Sequence, residues 1–209
     1  MEVIEFGDSK LQLLGVVRGP VAEGERVRQA VHEVRPRAVG VSLGLEELRG
    51  LEAWDGTPAE PANSEEETYV RHMARWGEVR KPPPCFVEAL RAAVEVDAAC
   101  VPLDLDEAAY TKAFTECVGT WDMMRQGSFV ERQLLEWKFI AGTPQSFALE
   151  FDALLSRRKG YRKLDALREE HMAGCLRAAL RKYPAVLAVV EIERAAGVLE
   201  ALKRSARGP

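Results

Sequence analysis

Apolar positions fall along the chain in two rhythms, short unbroken runs and stretches at helical spacing. Residues 11–17 (LQLLGVV) form the first run, which stops at Arg18-Gly19-Pro20. Val27, Ala30, Val31 and Val34 then recur three and four apart, which predicts a helix over about 23–34 that Pro36 ends. The run 38–43 (AVGVSL) follows, and a second helix is predicted from about Leu45. Two continuous apolar strands joined through a helix make a βαβ unit, and such units build parallel sheets covered on both faces. Upstream, 2–6 and 11–17 read as a hairpin turned at Gly7-Asp8, which adds an antiparallel strand.

Residues 54–66 shift to Pro, Ala, Gly, Ser and acids and read as a mobile surface loop. Ser64 and Glu67 form a capping box for a helix over 65–76, and a triple proline at 82–84 leads into a helix over 86–96. A strand over 98–103 runs into Asp104-Leu105-Asp106, where Asp106 suits a helix cap. Residues 106–157 read as a mainly helical insertion. Its bulk, Trp121, Met123, Met124, Phe129, Leu134, Leu135, Trp137, Phe139, Phe147, Phe151 and Leu154, is assigned to core packing or a dimer surface.

The helix predicted over 163–182 gathers Leu164, Leu167, His171, Met172, Cys175, Leu176, Ala179 and Tyr183 on one face, with His171 expected to be packed. Arg168 sits near the middle of that face and, if buried, requires carboxylate partners. A last strand, 185–190, leads through Glu191-Ile192-Glu193-Arg194 into a terminal helix. The expected architecture is one α/β domain over 1–209, with a mixed, largely parallel central sheet, helices on both faces and a helical middle segment.

With 209 residues and 47% hydrophobic content, the chain supports one sizeable core. A net charge of −4 with mixed signs provides no basic footprint, so no nucleic-acid partner is expected. The longest clean apolar run, 185–190, is far below a membrane span, and the acidic start MEVIEF is no signal peptide. The expectation is a cytoplasmic protein with no membrane partner. Cys85, Cys100, Cys117 and Cys175 contain no Cys-x-x-Cys pair and read as buried free thiols.

In parallel sheets, ligand sites form at the carboxyl ends of the strands, which singles out Arg18 and Ser42. Gly40-Val41-Ser42-Leu43-Gly44 also fits the Gly-x-Ser-x-Gly elbow of serine hydrolases. His171 or His72 would then be the base, oriented by Asp104 or Asp106. Only a hairpin and one βα unit precede this elbow, too little sheet for the usual oxyanion loop, so the serine hydrolase is the weaker reading.

The pattern LLGVVRGP, a helix, then RPRAVGVSLGLEELRGL resembles the opening of the TraB/PrgY family, in the Tiki/EreA/ChaN-like superfamily. There, one strand ends in Gly-x-x-His and the next in an apolar residue, Glu and Leu. Gly15 matches the glycine, Arg18 stands at the histidine and Ser42 at the glutamate. Asp104 and Asp106 match an Asp-Arg-Asp motif whose arginine is Leu105, and Arg168-Glu169 match an Arg–acid–x–x–Met arrangement. At the last motif Gly197 and Val198 match, Arg194 replaces a second histidine, and Glu191 and Glu193 replace two glycines.

In active members the histidines and glutamate are assigned to a divalent metal that activates water. Arginine stays protonated and has no lone pair for a metal. The resemblance therefore implies a non-catalytic TraB-like domain, without cofactor or metal, that acts as a binding or protein-interaction module. Its expected partners are another protein, a second copy, or a small anionic ligand held by Arg18, Arg168 and Arg194. Glu191 and Glu193 are expected to pair with Arg18 and Arg194. The alternatives are a divergent metal hydrolase with Asp104, Asp106, Glu191 and Glu193 as oxygen ligands, or the serine hydrolase.

Overall fold

In a computed structural model, which describes residues 1–6 and 9–206, the apolar runs become strands of one sheet. The chain begins with β1 (Glu2–Phe6), β2 (Ser9–Val16), α1 (Val21–Val34), β3 (Ala38–Val41), α2 (Leu45–Glu52) and α3 (Ser64–Met73). It continues with α4 (Pro84–Glu95), β4 (Ala99–Pro102), α5 (Glu107–Cys117), α6 (Thr120–Arg132), α7 (Pro144–Leu155), α8 (Lys159–Lys182), β5 (Ala185–Glu191) and α9 (Ile192–Ala206). The Gly7-Asp8 turn lies outside the described residues.

The five-stranded sheet has the order β1-β2-β5-β3-β4, with β1 antiparallel to β2 and every other pairing parallel. The two strands of the βαβ unit, β2 and β3, are parallel as expected and flank β5, which lies between them. The strand with the most continuous apolar sequence takes the central place, and all of β5 after Ala185 is buried.

Side chains alternate across the sheet as strand geometry requires. Leu14, Val16, Val39, Val41, Leu187 and Val189 pack with α1 and α4 on one face. Leu11, Leu13, Ala38, Val186, Ala188 and Val190 pack with α8 and α9 on the other. A third cluster, built from Tyr69, Met73, Phe129, Phe139, Phe147 and Phe151, covers Val17 just beyond the end of β2. The expected insertion is α5, α6 and α7, which contribute to this third cluster and to a smaller one beside α8.

Several local expectations shift. Met172, Ala173, Leu176, Ala179 and Leu180 form the buried stripe of α8, whereas Leu167 is 37% exposed and His171 is exposed. The helix packs on the sheet beside α9, and its buried face keeps Leu164, Met172, Leu176 and Ala179 of the predicted stripe while turning toward Ala173 and Leu180. His171 instead meets the Cys175 thiol, with Nε2 and Sγ 3.5 Å apart. The cap of α3 is Asn63 and not Ser64, since the Asn63 side chain accepts the Glu66 N–H at 2.9 Å. Asp106 caps α5 as expected, accepting the Ala109 N–H at 2.7 Å.

Trp121, Met123 and Met124 are exposed and not part of the core, because α6 turns Gln126 and Phe129 inward and its opposite side outward. The Leu135 side chain lies outside the described residues. All four cysteines are free, and only Cys85 is fully buried. None of the described helices is long and apolar enough to cross a membrane.

Candidate binding site at the strand ends

A cleft of about 680 Å³ opens over the carboxyl ends of the parallel strands, with Arg18, Ser42, Tyr69, Lys81, Arg168 and Glu191 among its walls. The turn after β2 places Arg18. Val17 donates its N–H to the Glu23 carboxylate at 3.1 Å, and Arg26 holds that carboxylate while donating to the Gly15 carbonyl at 2.6 Å. Gly19 then turns the chain at φ +100°, where a Cβ would lie 2.8 Å from Val79 Cγ1, so the Arg-Gly-Pro break requires its glycine. The Tyr69 hydroxyl donates to the Arg18 carbonyl at 3.1 Å, and the guanidinium lies 5.9 Å from the Tyr69 ring centre.

Arg18 faces two carboxylates at long range. Its Nε lies 3.4 Å from Glu191 and its terminal nitrogen 3.6 Å from Glu193, while its side chain stays 47% exposed. Burial alone would lower its pKa, but Glu191 and Glu193 together hold it above the ordinary value. The Glu193 side chain is buried, and its Oε2 has no hydrogen-bond partner among the described residues. Burial first, then the Glu191 charge, pushes its carboxyl up to about 7 against the opposing pull of Arg18.

The other two arginines are held tightly. Arg168 donates to Asp104 Oδ2 from Nε at 3.0 Å and from its terminal nitrogen at 2.5 Å, and Asp104 Oδ1 accepts the Leu105 N–H at 2.8 Å. Arg194, 5% exposed, pairs with Asp152, with Asp165 at 3.2 Å and with Glu169 at 3.1 Å. The expected pairing of Arg194 with Glu191 and Glu193 is therefore corrected. Successive helix positions point about 100° apart, so at the start of α9 Glu193 meets Arg18 while Arg194 meets α7 and α8. Burial is the larger influence on Asp152 and Glu169 and leaves both carboxyls above their usual range despite Arg194.

Ser42 lies in the cleft wall but is only 2% exposed, and its hydroxyl oxygen accepts the Glu191 N–H at 3.1 Å. No hydrogen bond among the described residues joins Ser42, His171 and Asp104. Asp106 is exposed and occupied in capping α5. Among the described residues, no group of three or more His, Cys, Asp or Glu side chains is arranged to hold a metal ion.

The chain after α2, read as a loop, forms part of the cleft wall through Trp54, Thr57 and Ala59. It is tied down by the Trp54 indole N–H on the Thr57 carbonyl at 2.7 Å and by the Ala59 N–H on the Lys81 carbonyl at 3.0 Å. Sequence reasoning missed Tyr69, Asp152 and Asp165. Asp152 left one weak signal, as one of two acids, with Glu150, inside the otherwise apolar stretch 147–155. No family model matches the chain, and no curated protein matches it.

Proposed function

We propose that this chain is a non-catalytic, TraB-like binding domain whose cleft takes a small anionic ligand, a carboxylate or phosphate, at Arg18. One observation carries this reading. Arg18 is the arginine at the strand ends whose side chain donates no hydrogen bond among the described residues, and it is half exposed within the cleft. Guanidinium groups match carboxylate and phosphate oxygens through paired N–H donors. Trp54, Phe86, Phe151 and Leu155 add apolar wall, which favours an anion with an apolar body. Arg at the positions of family histidines supports a binding role over metal-assisted hydrolysis, since a guanidinium repels a cation.

The test is a thermal-shift screen with inorganic phosphate and with aliphatic and aromatic carboxylates, on the native chain and on Arg18→Ala. A ligand at a hundred times its Kd stabilises the fold by about 2.7 kcal/mol, or roughly 5–10 °C for a domain of this size. The native protein is expected to shift and Arg18→Ala to lose the shift. Equal shifts in both proteins defeat the assignment. Stoichiometric manganese or zinc in protein purified without chelator, lost on Asp104→Ala or Glu193→Ala, would favour the hydrolase instead.

A further inference from the structure

A second concavity, about 370 Å³, is a shallow groove between α6 and the start of α8. Arg125 and Arg132 from α6 and Arg157 and Arg158 from the approach to α8 line it. None of the four forms an ion pair with a carboxylate among the described residues. The Arg157 guanidinium lies 3.6 Å over the Phe129 ring centre and that of Arg125 4.6 Å over Trp121. Stacking occupies the flat faces of these groups and leaves their edge N–H donors for a ligand. The Nε atoms of Arg157 and Arg158 are buried without a hydrogen-bond partner among the described residues.

The helix itself adds to the imbalance. The first turn of α8 has no acid and follows an Arg158 cap, although the positive end of a helix dipole favours acidic neighbours. One carboxylate, Asp122, meets this end by accepting the Gly160 N–H at 3.0 Å. The whole chain carries −4, so the concentration of positive charge is local. Trp121 and Met124, each 62% exposed, stand beside the arginines.

We infer that this groove docks an acidic peptide segment of a partner protein, its carboxylates on the four arginines and an apolar side chain against Trp121 and Met124. Unpaired cations beside exposed aromatic and Met surface make a site complementary to that chemistry. A nucleic acid fits less well, because backbone binding needs a longer basic track than one groove on an acidic protein. The inference does not depend on the cleft at Arg18.

Fluorescence anisotropy of the full chain tests it, with a labelled short peptide of Asp and Glu around a central Leu-Phe pair, its Asn/Gln counterpart and a short oligothymidine. The acidic peptide is expected to bind saturably and more weakly as salt rises, and the other two not to bind. Combining Arg132→Glu with Arg158→Glu is expected to weaken binding by at least about tenfold. Arg125→Glu alone, on an exposed helix face, is expected to give a smaller loss with the melting curve unchanged. Absence of saturable binding, equal binding of the Asn/Gln peptide, insensitivity to both charge reversals, or tighter binding of oligothymidine overturns the proposal. So does a dimer that the double charge reversal dissociates, since the groove would then belong to a second copy.

Discussion

Replacing Glu193 by Gln should stabilise the protein at neutral and alkaline pH, although it deletes an ion-pair partner of Arg18. The Glu193 carboxyl is buried at the start of α9, one of its oxygens lacks a hydrogen-bond partner among the described residues, and its pKa rises from 4.5 to about 7. Below pH 4.5 both folded and unfolded chains hold the proton, and the site imposes no penalty. Between 4.5 and about 7 the unfolded chain releases the proton while the folded chain keeps it, so stability falls as pH rises. Above about 7 the loss is complete. A rise from 4.5 to about 7, at about 1.4 kcal/mol per pH unit, amounts to a penalty of about 3 kcal/mol. This figure already includes the favourable pull of Arg18, so the variant's lost ion pair is not a separate cost. Gln keeps the shape and does not titrate. Urea unfolding of both proteins at about pH 4, 6 and 8 should show the variant more stable by about 3 kcal/mol at the highest pH, with the difference vanishing at the lowest. Other carboxyls raised by burial, among them Asp152 and Glu169, cancel in this difference. A pH-independent difference, or a variant less stable at the highest pH, would refute the reasoning.

Other perturbations read different parts of the same framework. Arg194→Met leaves Asp152, Asp165 and Glu169 together without their shared cation, and denaturation near neutral pH should show a loss of about 3–5 kcal/mol that shrinks in acid as the carboxylates protonate. Gly44→Ala places a Cβ 2.5 Å from the Leu105 carbonyl oxygen, a backbone atom that cannot swing away, and should cost about 1–3 kcal/mol in a thermal melt. Asn63→Ala should cost about 1 kcal/mol and Ser64→Ala little, since Asn63 caps α3; equal losses would restore Ser64 as the cap. Anion binding at Arg18 should strengthen as pH falls through about 7, because protonating Glu193 removes a competing carboxylate; titration calorimetry with a ligand from the thermal screen measures it.

Much of the framework is legible because strand and helix periods are local properties. The continuous apolar runs named four strands and their ends, and in a parallel sheet those ends converge, so Arg18, Ser42, Asp104 and Glu191 lie close to one another in the fold. What could not be read is whatever depends on partners distant in sequence. Nothing within residues 185–191 states that β5 inserts between β2 and β3. Nothing within α8 states that its packing beside α9 will bury Ala173 and Leu180 and leave Leu167 and His171 exposed. The partners of Arg194 follow from α7, whose Asp152 sits in an apolar stretch with no motif around it. The Asn63 cap was missed by one residue, because Asn63 and Ser64 are both good cap residues and only backbone geometry separates them.

The three arginines at the strand ends show how one residue type is sorted into different roles by what surrounds it. A guanidinium cannot shed its charge, so each must be hydrated or paired. Arg194 is closed in by three carboxylates and ties α9 to α7 and α8. Arg168 grips Asp104 with two donors on one oxygen and ties α8 to the end of β4. Arg168 lines the cleft, Arg194 lies behind it among the helices, and both have few donors left for a ligand. Arg18 differs because its two carboxylates lie beyond hydrogen-bond geometry, one of them has a pKa near 7, and its own side chain reaches the open cleft. Exchanging such long, partly solvated ion pairs for the oxygens of a bound anion loses little. The same exchange at Arg194 would strip three half-buried carboxylates of their cation, so two of the arginines are held as framework and the third is available in the cleft.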